Sequence, residues 1–132
     1  MMKNEKVHID KYFLQETKGW IRELDFFLSE LSFLKTRLAY IVDSANDKKL
    51  IAIAEKFHND FLNHDEQIKN IKASVLIHEN NLEKQKETPA KSKVKSADTQ
   101  GVVRKQVASI EFDFIALKSN FNSFALSSLK RI

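Results

Sequence analysis

Apolar residues recur along this chain at alternating intervals of four and three in three long stretches. The stretches run from Trp20 to Ala45, from Leu50 to Leu82 and from Val103 to Ser128. A mean spacing of 3.5 residues keeps one stripe of side chains on the same side of a helix, where it packs against neighbouring helices. The pattern therefore predicts three long helices with coiled-coil-like packing, and we call the 4-3 positions of each helix its seam.

Polar and helix-breaking residues indicate where the helices begin and end. Asp10 is a suitable N-cap for helix 1, and Asn46 or Asp47 for helix 2, because their side chains accept hydrogen bonds from first-turn amides. Pro89 stops helix 2, since proline lacks the amide hydrogen and clashes with the preceding turn. The expected segments are helix 1 at about 10–45, helix 2 at about 47–87, a mobile basic loop at 88–98 and helix 3 at about 99–131.

The connections predict the topology. A short turn near Ser44–Asp47 makes helices 1 and 2 antiparallel, and the longer loop lets helix 3 run parallel to helix 1. We expect an all-α fold, an elongated antiparallel three-helix bundle that forms a single domain over residues 1–132. Its outline resembles a spectrin-type repeat, including Trp20 in the first helix, and this resemblance implies architecture only. A dimer in which helix 3 packs on the other chain is an open alternative.

Composition narrows the classes of protein. The chain of 132 residues has no cysteine, which excludes disulfides, thiolate metal sites and cysteine nucleophiles. Two glycines and one proline suit a few long helices better than a many-stranded sheet. There is no run of about 18 apolar residues and no signal-peptide core near the start. We therefore expect no membrane span and a cytoplasmic location.

Motifs of the common enzyme classes are missing. The chain has no glycine-rich phosphate loop, no nucleophile elbow, no HExxH motif and no paired-carboxylate signature. We therefore expect a non-enzymatic protein without a cofactor or a small-molecule substrate.

A second set of large apolar residues lies outside the seams of helices 1 and 3. Its members recur at heptad or 3-4 spacing, and in helix 1 they lie about 100° around the helix from the seam. They are Phe26, Phe33, Tyr40, Phe112, Ile115, Leu126 and Leu129. Because large apolar side chains seldom form an exposed patch without a reason, we interpret this set as an interface with a helical partner or a second copy that completes a larger bundle. The alternative is a wide seam, or aromatic rings that cover loop ends.

Polar residues interrupt the seams of helices 1 and 2. His64 and His78 occupy seam positions of helix 2, and Thr17 lies level with His78 once the two helices fold back on each other. We interpret Thr17, His64 and His78 as buried polar layers that set the helix register. The alternative is a metal or ligand site built on His64 and His78, although neither histidine belongs to a Glu-x-x-His motif of the kind that bundle metal sites use.

The net charge of +4 comes from one segment. Residues 83–106 carry seven basic and three acidic groups, an excess that equals the charge of the whole chain. The basic residues are Lys84, Lys86, Lys91, Lys93, Lys95, Arg104 and Lys105. A solvated connector is the preferred interpretation. The alternative is binding of a polyanion, either nucleic acid or an anionic surface, through this 84–105 connector.

The predicted function is therefore a non-enzymatic helical interaction or structural module that self-associates. Polyanion binding through the basic connector is the second hypothesis, and a metal- or ligand-binding bundle is the third.

Overall fold

Three long helices that pack against one another make up the protein. The structure, a computed structural model, describes the backbone of residues 2–85 and 90–130 and the side chains of residues 9–85 and 96–130. The helices are α1 (Met2–Ser44), α2 (Lys48–Lys84) and α3 (Ala90–Leu129). The described residues contain no strand. The predicted all-α three-helix bundle is confirmed.

Backbone contacts divide the chain into two compact units. The first combines Met1–Asp25 with Lys69–Ser109, and the second combines Phe26–Ile68 with Ile110–Ile132. Each unit contains a segment of all three helices. That residues 1–132 form a single domain stays a prediction.

The seams bury the core of the first unit and bring α1 and α2 together in antiparallel order. Lys18 of α1 pairs with Glu83 of α2 at 3.8 Å, whereas Asp25 pairs with Lys72 at 2.6 Å. Residue numbers therefore rise along α1 as they fall along α2. The buried apolar side chains here are Trp20, Leu24, Val75, Leu82, Val103 and Val107.

Aromatic contacts dominate the core of the second unit. The rings of Phe27 and Phe114 lie 4.6 Å apart, which joins α1 to α3. Phe57 of α2 lies 5.5 Å from Phe121 and 5.0 Å from Phe124 of α3, between ring centroids. Stacked and edge-on rings at such distances stabilise a core beyond the area they bury. The seam residues therefore join all three helices in this unit.

The ends of α1 and α2 agree only partly with the prediction. The α1 helix begins at Met2, so the expected N-cap at Asp10 is wrong. The start of α2 is as expected, because the Lys49 amide donates to Asp47 Oδ1 at 2.9 Å. The α2 helix ends at Lys84, three residues before the expected 87.

The start of α3 differs more strongly from the prediction. The helix begins at Ala90, so the predicted loop at 88–98 is wrong for residues 90–98. Alanine and lysine favour helices, so the polar composition of this segment does not exclude one. Ser96 and Gln100 also continue the 4-3 spacing of the α3 seam towards its start, and both are buried. Buried polar residues therefore extend the α3 seam towards the N-terminal end of the helix, before its first apolar residue, Val103.

No helix in the described part of the chain combines the length and the apolar character that crossing a membrane requires.

Candidate functional site

Seven large apolar side chains project into solvent from α1 and α3 of the second unit. Their exposed fractions run from 50% for Leu129 to 75% for Phe112. We call this surface the α1–α3 face, and it consists of Phe26, Phe33, Tyr40, Phe112, Ile115, Leu126 and Leu129. These are the residues that the sequence singles out as an interface. The alternative of a wide seam is wrong, because a wide seam would bury them.

Two polar contacts join α1 to α3 along this face. Lys118 Nζ donates to Glu30 Oε2 at 2.6 Å, and the Arg37 guanidinium donates to Asn122 Oδ1 at 3.0 Å. The Arg37 guanidinium also lies 5.5 Å from the ring centre of the buried Phe121, within the range of a cation–π contact. These contacts mark the side of α1 that turns towards α3.

The α1 part of the face lies beside those contacts. Phe26, Phe33 and Tyr40 stand three or four residues from Glu30 or Arg37, and residues at that spacing share one side of a helix. The three rings therefore line the side of α1 that borders α3.

The α3 part lies on the facing border. Ile115 stands three residues before Lys118, and Leu129 stands seven residues after Asn122. Residues three or seven apart lie on the same side of a helix, so Ile115 and Leu129 lie on the side of α3 that contacts α1. The apolar residues of the two helices therefore flank one shared groove, crossed by the two polar contacts.

The α1–α3 face is poor in charge. From Ile110 to Leu129 only Glu111, Asp113 and Lys118 are charged, three of twenty residues, whereas 30% of the whole chain is charged. Most of the exposed residues between the large apolar ones are small, and Arg37, Asp113 and Asn120 are larger. The small ones are Ser29, Ser32, Thr36, Ala39, Ala116, Ser119, Ser123 and Ser127. Loss of charge around large apolar side chains is typical of the core of a protein interface.

Gln100 is the centre of a buried polar cluster in the first unit. Its side chain is fully buried, and its Oε1 accepts from His78 Nε2 at 2.5 Å. Its Nε2 donates to Glu16 Oε1 at 2.9 Å and lies 3.2 Å from both the Phe13 carbonyl oxygen and the Thr17 hydroxyl. Thr17 and His78 are buried at one level, as predicted, and Gln100 links them across three helices.

Glu16 and Arg104 close the cluster on the solvent side. The Arg104 guanidinium donates from two nitrogens to the Glu16 carboxylate, at 2.6 and 3.1 Å. Burial by itself raises the pKa of the Glu16 carboxyl, but the hydrogen bonds from Arg104 and Gln100, together with the Arg104 charge, hold this pKa below its ordinary 4.5. The Glu16 hydrogen bond raises the pKa of Arg104.

His64 does not match the predicted polar layer. It is only half-buried, and its Nδ1 is shielded from solvent without a hydrogen-bond partner. His78 belongs to the first unit and His64 to the second, so each has its own surroundings. Within the part of the chain whose side chains are described, no three His, Asp or Glu residues converge on a metal position. The geometry therefore gives the metal hypothesis no support.

The basic residues do not form one described cluster. Lys84 and Lys105 are exposed, whereas Arg104 is paired with Glu16. Lys86 lies outside the described residues, as do the side chains of Lys91, Lys93 and Lys95. Polyanion binding through the 84–105 connector stays a prediction.

A groove is present on another side of the second unit. It lies between α1 and α2, has a volume of about 410 Å³, and is lined by Lys35, Leu38, Ala39, Val42, Asp43, Ile51, Ala54, Glu55 and His58. The charged residues among them carry both signs around an apolar floor, so nothing in the lining selects one class of ligand.

Two features escape the sequence reasoning. Gln100 is polar and precedes the first apolar seam residue of α3, yet it lies three residues before Val103, in register with the seam. Tyr12 lies fourteen residues before Phe26, continues the heptad series of α1 into the first unit, and is 59% exposed. In both cases an extension of the repeat towards the start of the chain would have found the residue.

No protein family, curated protein or solved structure matches this chain. The resemblance to a spectrin-type repeat therefore remains one of outline.

Replacing Gln100 with leucine is predicted to destabilise the fold by about 1–3 kcal/mol. The change leaves the buried His78 Nε2 without its partner, and an unsatisfied buried donor costs its desolvation free energy. Removing both partners in Gln100→Leu with His78→Leu is predicted to recover most of that loss. Urea unfolding of the two single variants and the double variant measures the coupling. If the losses simply add, the two residues do not form a cooperative layer.

The Glu16–Arg104 pair predicts a definite dependence of stability on pH. Because the folded pKa of Glu16 is lowered, its contribution is present above about pH 4.5 and is lost as the pH falls through the folded pKa. Wild type should therefore lose more unfolding free energy on acidification than Glu16→Gln does. The difference should stay below about 1 kcal/mol, because Arg104 is half exposed.

The exposed Glu66 on α2 offers a matched control for this titration. Glu66→Gln should follow the wild-type curve between pH 3 and 7 in urea unfolding experiments. Identical curves for wild type and Glu16→Gln would show that the ion pair does not stabilise the fold.

Proposed function

We propose that this protein is a non-enzymatic helical interaction module that binds a protein partner through the α1–α3 face. The proposal includes self-association, because a second copy is the simplest partner with a matching surface. The cytoplasmic location expected from the sequence is part of the same proposal.

One observation carries the proposal: seven large apolar side chains, each at least half exposed, lie on one side of one unit. The seams already supply each helix with a buried stripe, so the fold does not need these residues in its core. Burying such side chains against a partner contributes on the order of 1.5–3 kcal/mol each before the costs of association. Binding of a partner is thus the property that would account for them.

The kind of partner follows from the shape of the face. Two neighbouring helices with a groove between them offer ridges and gaps at helical spacing, which suits the packing of further helices. A catalytic role would require polar groups that converge on one point. On this face Glu30, Arg37, Lys118 and Asn122 are engaged with one another instead.

Replacing Phe26 and Phe33 together with aspartate is predicted to lower the oligomeric state and to leave the helix content unchanged. Both rings are more than half exposed, so the fold tolerates the charges, whereas an interface does not. Light scattering coupled to size exclusion measures the molar mass, and circular dichroism measures the helix content.

The double variant Ile53→Asp with Leu62→Asp is the matched control. These residues lie on α2 of the same unit and are 45% and 49% exposed. This variant should retain the wild-type mass. Loss of helical signal in the Phe26 and Phe33 variant would place both rings in the core and refute the proposed interface.

A further inference from the structure

We infer that the occupant of the α1–α3 face is the same face of a second copy, with α1 of each protomer running parallel to α3 of its partner. The two-fold axis lies along the helices. This inference rests on the proposed function and gives it a partner, an orientation and a register.

The area of the face is that of a stable dimer. An aromatic side chain hides on the order of 150–250 Å² when fully buried. The four rings of the face are 56–75% exposed and therefore offer roughly 400–650 Å² together, to which Ile115, Leu126 and Leu129, each at least half exposed, add their own area. A standard-size interface buries about 800 Å² per partner, whereas the largest apolar patch on an ordinary monomer covers about 300–600 Å². One further copy thus covers the whole face, which a single bound side chain or short peptide segment would not.

The charge pattern favours protein over lipid as the occupant. Helices that lie on a membrane surface combine an apolar face with many lysines and arginines, which reach the anionic headgroups. From Phe26 to Tyr40 of α1 and from Phe112 to Leu129 of α3 the basic residues are Lys35, Arg37 and Lys118, and they are engaged with Asp65, Asn122 and Glu30 respectively. The neighbouring exposed positions are mostly serine, threonine and alanine.

Large and small residues alternate differently on the two helices. On α1 the rings of the face are evenly spaced, with Phe33 in the middle. On α3 the large residues form two groups, and Ser119, Asn122 and Ser123 lie between them. The ring contact of Phe27 with Phe114, and the Arg37 contact with Asn122, place Phe33 level with Ser119. Phe33, the central bulge of the α1 row, therefore lies beside the gap around Ser119 in the α3 row.

This arrangement of bulge and gap selects the orientation of the dimer. With α1 over α3 of the partner subunit and the helices parallel, Phe33 enters the gap around Ser119 of the partner subunit. The other two-fold arrangement, with each helix antiparallel to its own copy, places Phe33 against Phe33 of the partner subunit and leaves two gaps facing each other. Packing without voids favours the parallel arrangement.

Single cysteines test this geometry cleanly, because the chain has none of its own. Thr36→Cys and Ser119→Cys each replace a small exposed residue at the edge of the face and leave the large side chains in place. Each variant is unfolded in urea and refolded either alone or in an equal mixture, then treated with a short bis-maleimide. A cross-linked species at twice the chain mass of 15.3 kDa should appear in the mixture and fall to background in either variant alone.

The other outcomes overturn different parts of the account. Cross-linking of either variant alone, at the level of the mixture, would refute the parallel orientation and leave the α1–α3 face as the interface. Asn59→Cys, on the exposed side of α2, is the control and should not cross-link. If it reacts as well as the mixture, the contacts are random and the face is not the interface. A monomeric mass for the untreated wild type would refute self-association itself.

Discussion

The fold depends on the burial of one stripe of side chains along each helix. Leu24 and Leu31 of α1, Phe61 and Ile68 of α2 and Phe121 of α3 are completely shielded from solvent. Each such side chain contributes on the order of 1.5–3 kcal/mol through the area removed from water. Helices of about forty residues gain their stability from this packing rather than from local propensity. The core therefore does not need the large apolar residues that lie outside the seams.

The polar layer around Gln100 fixes how the three helices are aligned along their length. A fully buried amide that bonds to Thr17, Glu16 and His78 holds one segment of α3 at a single level against α1 and α2. An apolar residue would pack at several levels with little difference in free energy, whereas a buried polar group is satisfied at one.

Periodicity predicts the helices, their order, the Thr17–His78 level and the apolar surface residues, because all of these follow from the spacing of large side chains. Periodicity predicts wrongly where a polar residue is buried or a seam residue is partly exposed. Ser96 and Gln100 are polar yet buried, so α3 extends to Ala90 through residues whose composition resembles a loop. His64 occupies a seam position but is only half-buried. Hydrogen-bond partners on other helices decide such cases, and the spacing of residues in one helix does not contain them.

The central claim is that the seams complete the fold and that the α1–α3 face binds a second copy only in the folded state. Thermal unfolding of wild type over a hundred-fold range of protein concentration tests this directly. Association that is restricted to the folded chain stabilises it by mass action, so the account predicts a Tm that rises steadily with concentration. A Tm that stays constant across the whole range would contradict the account, because the apolar face would then contribute nothing to the folded state in solution.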